Sequence, residues 1–225
     1  MSQETCWTLL REAAEGDGRA RSEFGRIYLP VLRRYLCARW HGRLSEEEIE
    51  DAVGEMFVEC LKDGGLLERA RIGEIESFHA CLYGAARNVA LRIEERRARR
   101  ADQPGSRSFH PEELARDEEH MSRIFERAWA QGVVHEAARL VRERAHQGGE
   151  EAERRVRLLE LRFEKGLPIR KIAELWNVDA AELHHAYARA RKEFRTALRE
   201  VVAFDHPGTP EAVDEECQQL LGMLA

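Results

Sequence analysis

The segment YGAARNVALRIEERRARR, residues 83–100, sets six arginines against two glutamates in a chain whose net charge is −6. Within it Arg92, Arg96, Arg99 and Arg100 recur at i, i+4, i+7 and i+8, a spacing that gathers four guanidinium groups on one helix face. Phosphates are the natural partners of such a stripe. Each one neutralised releases counterions, so affinity would fall with salt by a log–log slope of roughly −0.9 per duplex contact. A solvated basic face, which also suits a helix C-terminus, is the competing reading. Asn88 is read as the N-cap of a helix starting at Val89, with Glu94 and Glu95 pointing away from the stripe.

A second segment has the opposite chemistry. SEEEIEDAVGEMFVECLKD, residues 45–63, holds eight acids and one lysine. Ile49, Val53, Met56, Phe57, Cys60 and Leu61 form its apolar stripe, and Ser45 with Glu48 makes a capping box at its start. Acidic faces repel DNA, so a basic and an acidic helix together point to two partners, a nucleic acid and a protein surface.

Residues 159–195, LELRFEKGLPIRKIAELWNVDAAELHHAYARARKEFR, fit helix, helix, tight turn, helix. Pro168 opens the middle helix, where its missing N–H costs nothing, and Ile169, Ile172, Ala173 and Trp176 supply the apolar face. Asn177 occupies the turn and tolerates a left-handed backbone, while Asp179 and Glu182 cap the last helix. There Leu183, Tyr187, Ala190, Phe194 and Leu198 fall on one side, opposite His185, Arg189, Lys192 and Thr196. This is the pattern of a helix-turn-helix with a recognition helix. A structural three-helix bundle with a charged outer face is the alternative.

The elements that must carry these residues are helices throughout. Apolar stripes run through 6–15, 22–40, 76–87 and 89–98, and resume from Arg123 to about Phe204. ADQPGSRSFHP lacks periodicity and the acidic EELARDEEH follows it, which reads as a linker. The charge is partitioned accordingly: −1 over 1–100, −4 over 101–122, +4 over 123–203 and −5 over 204–225. The tail is read as an amphipathic helix capped by Thr209, with Val213, Cys217, Leu220 and Leu224 on one side, docking on the basic second body. The expected architecture is all-α: a helical domain over 1–100, a flexible acidic linker over 101–122, a helix-turn-helix domain over 123–204, and an acidic helical extension over 205–225.

The excluded classes follow from what the sequence lacks. No apolar run approaches a membrane span and the N-terminus MSQETCWTLL is not basic, so a cytoplasmic protein without membrane contact is expected. Cys6, Cys37, Cys60, Cys81 and Cys217 are odd in number and scattered without zinc-ligand spacing, which reads as buried reduced thiols. There is no phosphate-binding glycine loop, HExxH or nucleophile motif. No enzyme activity, metal or cofactor is expected.

The segments EDAVGEMF, SFHACLYGAARNVAL, TCWTLLREAAEGDGRAR and LRFEKGLPIRKIAELWNVDAAELHHAYARARKEFR resemble the extracytoplasmic-function sigma factors, small bacterial subunits that direct RNA polymerase to promoters. The resemblance covers most of the chain, and EAVDEECQQLLGML is similar to a C-terminal extension of some members. It implies core RNA polymerase and promoter DNA as partners, and admits an anti-sigma protein or another regulator. Glu50, Asp51, Glu55 and Phe57 match the positions that dock on the polymerase clamp. Arg87 and Asn88 match the place where a flipped base of the near promoter element is held, with Arg92, Arg96, Arg99 and Arg100 on its phosphates. Arg170, Lys171, Ala181, His184, His185, Arg189 and Lys192 match the helix-turn-helix that reads the far element as duplex.

The chain departs from the family pattern at four places, one of them Cys81, which stands where a bulky aromatic is common. Gly54 stands for a glutamine on the docking helix. His184 and Ala186 replace basic residues early in the recognition helix. Arg170 and Lys171 replace acids in the helix before it, so phosphate contacts are expected to have shifted there. A polymerase-independent regulator and a degenerate relative acting as a decoy are the other readings.

Overall fold

The computed structural model describes residues 6–72, 77–101 and 118–224, and among them the regular elements are all α-helices, with no strand. They are α1 (Cys6–Ala14), α2 (Gly18–Arg39), α3 (Glu46–Leu61), α4 (Leu66–Arg71), α5 (Phe78–Ala101), α6 (Glu118–Gly148), α7 (Glu150–Phe163), α8 (Ile169–Trp176), α9 (Ala180–Asp205) and α10 (Pro210–Gly222). The chain divides into two compact units, Met1–Gly132 with Gln219–Ala225, and Val133–Gln218.

In the first unit, α3 begins as its sequence predicts. The Ser45 hydroxyl accepts from the Glu48 N–H at 3.2 Å, and the Ser45 N–H donates to the Glu48 carboxylate at 2.9 Å. Ile49, Val53, Met56 and Cys60 are buried, whereas Phe57 and Leu61 are half-buried. Burial pushes the Cys60 thiol up to about 12, far from a reactive thiolate. All five cysteines are free; Cys37 and Cys81 are only half-buried, a departure from the expectation for them.

Helix α5 corrects the placement of Asn88 as an N-cap. One helix runs without a break from Phe78 to Ala101 and Asn88 lies in its middle. The reason is the apolar stripe of Phe78, Leu82, Ala86, Val89, Ala90 and Ile93, all buried, which continues past Asn88 with helical spacing. An N-cap residue must leave helical backbone angles, and this stripe gives it no reason to.

The expected boundary near 123 also moves. Of the expected linker, 102–117 lie outside the described residues, but Glu118 already opens α6. Its first half belongs to the first unit, where Phe125 meets Tyr83 at 5.0 Å and Tyr35 at 5.6 Å between ring centroids. Trp129 stacks on Tyr28 at 5.9 Å and meets His79 edge-on at 4.7 Å. Gly132 permits the close approach: a Cβ there would lie 2.5 Å from Val31 Cγ2. Acidic composition marked the start of α6 as linker, while its aromatic residues anchor it in this core.

The second unit is built on Leu158, Leu161, Ile169, Ile172, Ala173 and Leu183, contributed by α7, α8 and α9. Asn177 ends α8 with φ 50° and ψ 52°, the only positive φ among the described residues other than glycines. The turn residue expected from sequence therefore has the expected conformation. Asn177→Gly should be neutral within a few tenths of a kcal/mol, whereas Asn177→Val should cost about 1–2 kcal/mol because its branched Cβ meets the carbonyl in the left-handed region. Urea titration of both variants checks this, and equal midpoints would contradict it.

Asp179 caps α9, its carboxylate accepting from the N–H groups of Ala181 at 2.8 Å and Glu182 at 3.0 Å. On α10, Thr209 accepts from the Ala212 N–H at 3.3 Å, and Val213, Cys217 and Leu220 are buried. Asp214 pairs with Arg199 of α9 at 2.9 Å. Arg199 lies about 21 Å along the helix from His185, so this contact is far from the exposed residues at the start of α9.

Candidate nucleic-acid interface

An uninterrupted α5 has a consequence for the basic stripe. Asn88, Arg92, Arg96 and Arg99 stand at i, i+4, i+8 and i+11 of one helix, on one face. Asn88 is exposed, Arg87 half-buried, and the Arg100 side chain lies outside the described residues.

The middle of this face is occupied by α3. Arg92 Nη2 donates to Glu59 at 2.9 Å and lies 3.8 Å from Glu55. Arg96 Nη2 donates to Glu55 at 2.6 Å, and Arg97 pairs with Glu48. The acidic and basic helices, expected to present separate surfaces to separate partners, face each other. The Ser45 N–H and then Arg97 hold the Glu48 carboxyl below its ordinary range, and Lys62 and then Arg92 do so for Glu59. Beyond the zipper, Arg99 is 75% exposed and, among the described residues, pairs only with Glu95 of its own helix, at 3.8 Å.

Glu94 is buried, away from the arginine stripe. Its side chain and that of Arg39 are both at 0% exposure. Arg39 Nε and Trp40 Nε1 donate to Glu94 Oε1 at 2.6 and 2.7 Å, and Arg39 Nη2 donates to Oε2 at 3.0 Å. Arg39 Nη1 completes its set on the Tyr35 hydroxyl at 3.1 Å, a phenol that burial pushes up to about 12 and so keeps neutral.

The four residues matched to polymerase docking are all on α3 but differ in kind. Asp51 is exposed. Glu50 pairs with Arg33 of α2, Glu55 belongs to the zipper, and the half-buried Phe57 stacks on Phe24 at 6.1 Å. Gly54 is exposed, with open space where a side chain would stand.

In the second unit Arg170, Lys171, Ala181, His184, His185, Arg189 and Lys192 are all exposed. Lys171 pairs with Glu174 of its own helix at 2.9 Å. Arg189 has long contacts only, 3.4 Å to Glu193 and 4.0 Å to Glu151. Lys192 and Arg170 make no ion pair among the described residues. Beside this face lies a groove of about 710 Å³ whose cations Arg144, Arg155, Arg189 and Lys192 come from α6, α7 and α9. Arg155 is committed to Glu193 and Glu151, and Arg144 to Glu200, which leaves Lys192 and the loosely held Arg189 as the available charges.

Sequence reasoning missed Glu48, Glu59, Arg97, Arg39 and Arg33 as partners in these networks. One signal was present: Glu48, Glu55 and Glu59 fall at i, i+7 and i+11, a stripe complementary to Arg97, Arg96 and Arg92. Among the described residues no His, Cys, Asp and Glu group could hold a metal ion, and no helix is long and apolar enough to cross a membrane. No family model matches the chain, and no curated protein matches it.

Proposed function

We propose that the chain is a sigma-type promoter-recognition subunit that acts in the cytoplasm with bacterial core RNA polymerase and carries out no catalysis itself. The observation that carries this reading is the turn at Asn177, which joins two packed helices and leaves Ala181, His184, His185, Arg189 and Lys192 exposed along one capped helix. That helix would read the far promoter element in the major groove, with Arg170 and Lys171 on the flanking phosphates. Arg87, Asn88 and the α5 arginines would hold the near element as it opens, while the exposed Asp51 face of α3 meets the polymerase.

A second reading, a DNA-binding regulator that works without polymerase, is favoured by the commitment of Glu55 to Arg96 and Arg92 rather than to an outside partner. Co-elution with core RNA polymerase separates the two. The intact chain is expected to co-elute, and Asp51→Arg is expected to weaken the association by at least about tenfold, since like charges placed in a complementary interface cost several kcal/mol. Asp51 is the cleaner site than Phe57, whose ring also packs on Phe24. No co-elution of the intact chain would move the assignment to the second reading or to a decoy.

A further inference from the structure

The zipper between α3 and α5 has the properties of a releasable lock. Two of the arginines that could grip phosphates, Arg92 and Arg96, and their neighbour Arg97 face three carboxylates of one other helix: Arg92 to Glu59 and Glu55, Arg96 to Glu55, and Arg97 to Glu48. Arg92 and Arg96 are half exposed, at 47% and 50%. An ion pair in that setting is worth a factor of only about 1.4 to 5 in an equilibrium constant, weak enough for a polyanion or a basic surface to break. Opening it need not unfold the unit, because α3 and α5 are also anchored by buried apolar residues, Ile49, Val53 and Met56 on α3 and Val89, Ala90 and Ile93 on α5. The unopposed ends of the same face, Asn88 and Arg99, remain accessible throughout.

We propose that α3 is a carboxylate latch: Glu48, Glu55 and Glu59 keep Arg92, Arg96 and Arg97 off polyanions until a basic protein surface competes for those carboxylates. The latch rests on the proposed function only for the identities of the two competitors, promoter DNA and polymerase. Docking on α3 and release of the arginines then become one event, because a basic surface that takes the Glu55 and Glu59 carboxylates takes them from Arg92 and Arg96. The free protein would hold nucleic acid weakly, and its full set of phosphate contacts would appear only when α3 is engaged.

The test uses the full chain and a fluorescein-labelled oligothymidylate, with binding followed by anisotropy across a salt series. Glu55→Gln with Glu59→Gln is the opened variant; Glu48 is left intact because it also caps α3. Glu47→Gln with Asp63→Asn is the charge control, since these exposed acids make no arginine pair among the described residues. The opened variant is expected to bind about fivefold tighter than the natural chain. Its salt slope should steepen by about 1.4, two phosphates at roughly 0.7 each on a single strand. The control should stay within about twofold, and adding Arg92→Ala with Arg96→Ala to the opened variant should erase the gain. A thermal melt of each variant confirms that the comparison is between folded proteins.

Equal binding by the opened variant and the charge control would overturn the latch, as would a gain that survives removal of the two arginines or an absence of binding by every variant. Failure of the sigma reading is seen separately: a latch that opens in a protein that never co-elutes with polymerase removes that reading and leaves the latch, and the converse removes the latch alone.

Discussion

Replacing Glu94 with glutamine is expected to lower the unfolding free energy by about 3–5 kcal/mol, the range seen when one member of a buried ion pair is removed. Both partners are fully withdrawn from solvent, and Glu94 accepts three donors, two from Arg39 and one from Trp40. Glutamine keeps the shape but presents an NH2 to one of those donors and leaves the guanidinium charge uncompensated. For a chain of 225 residues the loss corresponds to a fall in Tm of roughly 6–20 °C. Scanning calorimetry measures it directly. The Arg39→Met/Glu94→Leu double variant should recover more than half of the loss, because apolar residues of similar volume can replace a buried pair. It should remain below the natural protein, since the Trp40 N–H is then buried without an acceptor, at about 1–3 kcal/mol. A Glu94→Gln variant within about 1 kcal/mol of the natural chain would mean that water reaches the pair and offsets the desolvation cost.

That network shows where reading the sequence stops. Features decided within a few residues were legible: the Ser45–Glu48 box, the Asp179 cap, the left-handed turn at Asn177, and the apolar stripes of α3 and α9. Each depends on local backbone geometry or on helical periodicity. Asn88 failed for the complementary reason. Asparagine is a good N-cap in isolation, but the buried stripe from Phe78 to Ile93 holds the helix continuous through it.

The arginines were legible as a stripe and illegible as partners. Spacing on α5 fixes which side chains share a face, but not which helix lies opposite, and Arg39 and Glu94 are 55 residues apart in the chain. The same limit applies to α6, whose acidic first turn resembles a linker while Phe125 and Trp129 find an aromatic cluster formed by α2 and α5. Charge composition reports what a segment can tolerate in water. Burial depends on what the rest of the chain brings to it.

The second large effect belongs to α9, the proposed recognition helix. Arg189→Ala with Lys192→Ala is expected to weaken binding to any duplex by roughly tenfold to a hundredfold at moderate salt and to reduce the log–log salt slope by about 2, one for each phosphate no longer neutralised. Both side chains are exposed, and neither supports the core of Leu158, Ile172 and Leu183. Arg189 also has only long contacts with Glu193 and Glu151, and Glu193 stays bound to Arg155, so the fold should be unaffected. Arg170→Ala with Lys171→Ala provides the comparison. If phosphate contacts have moved to α8, that pair should match the α9 pair in slope although its lysine must first leave Glu174. Comparable effects from both pairs would describe a helix-turn-helix straddling the backbone with its last two helices. An effect confined to α9 would place the phosphate contacts on the recognition helix alone, and an unchanged slope in both would separate this unit from DNA altogether.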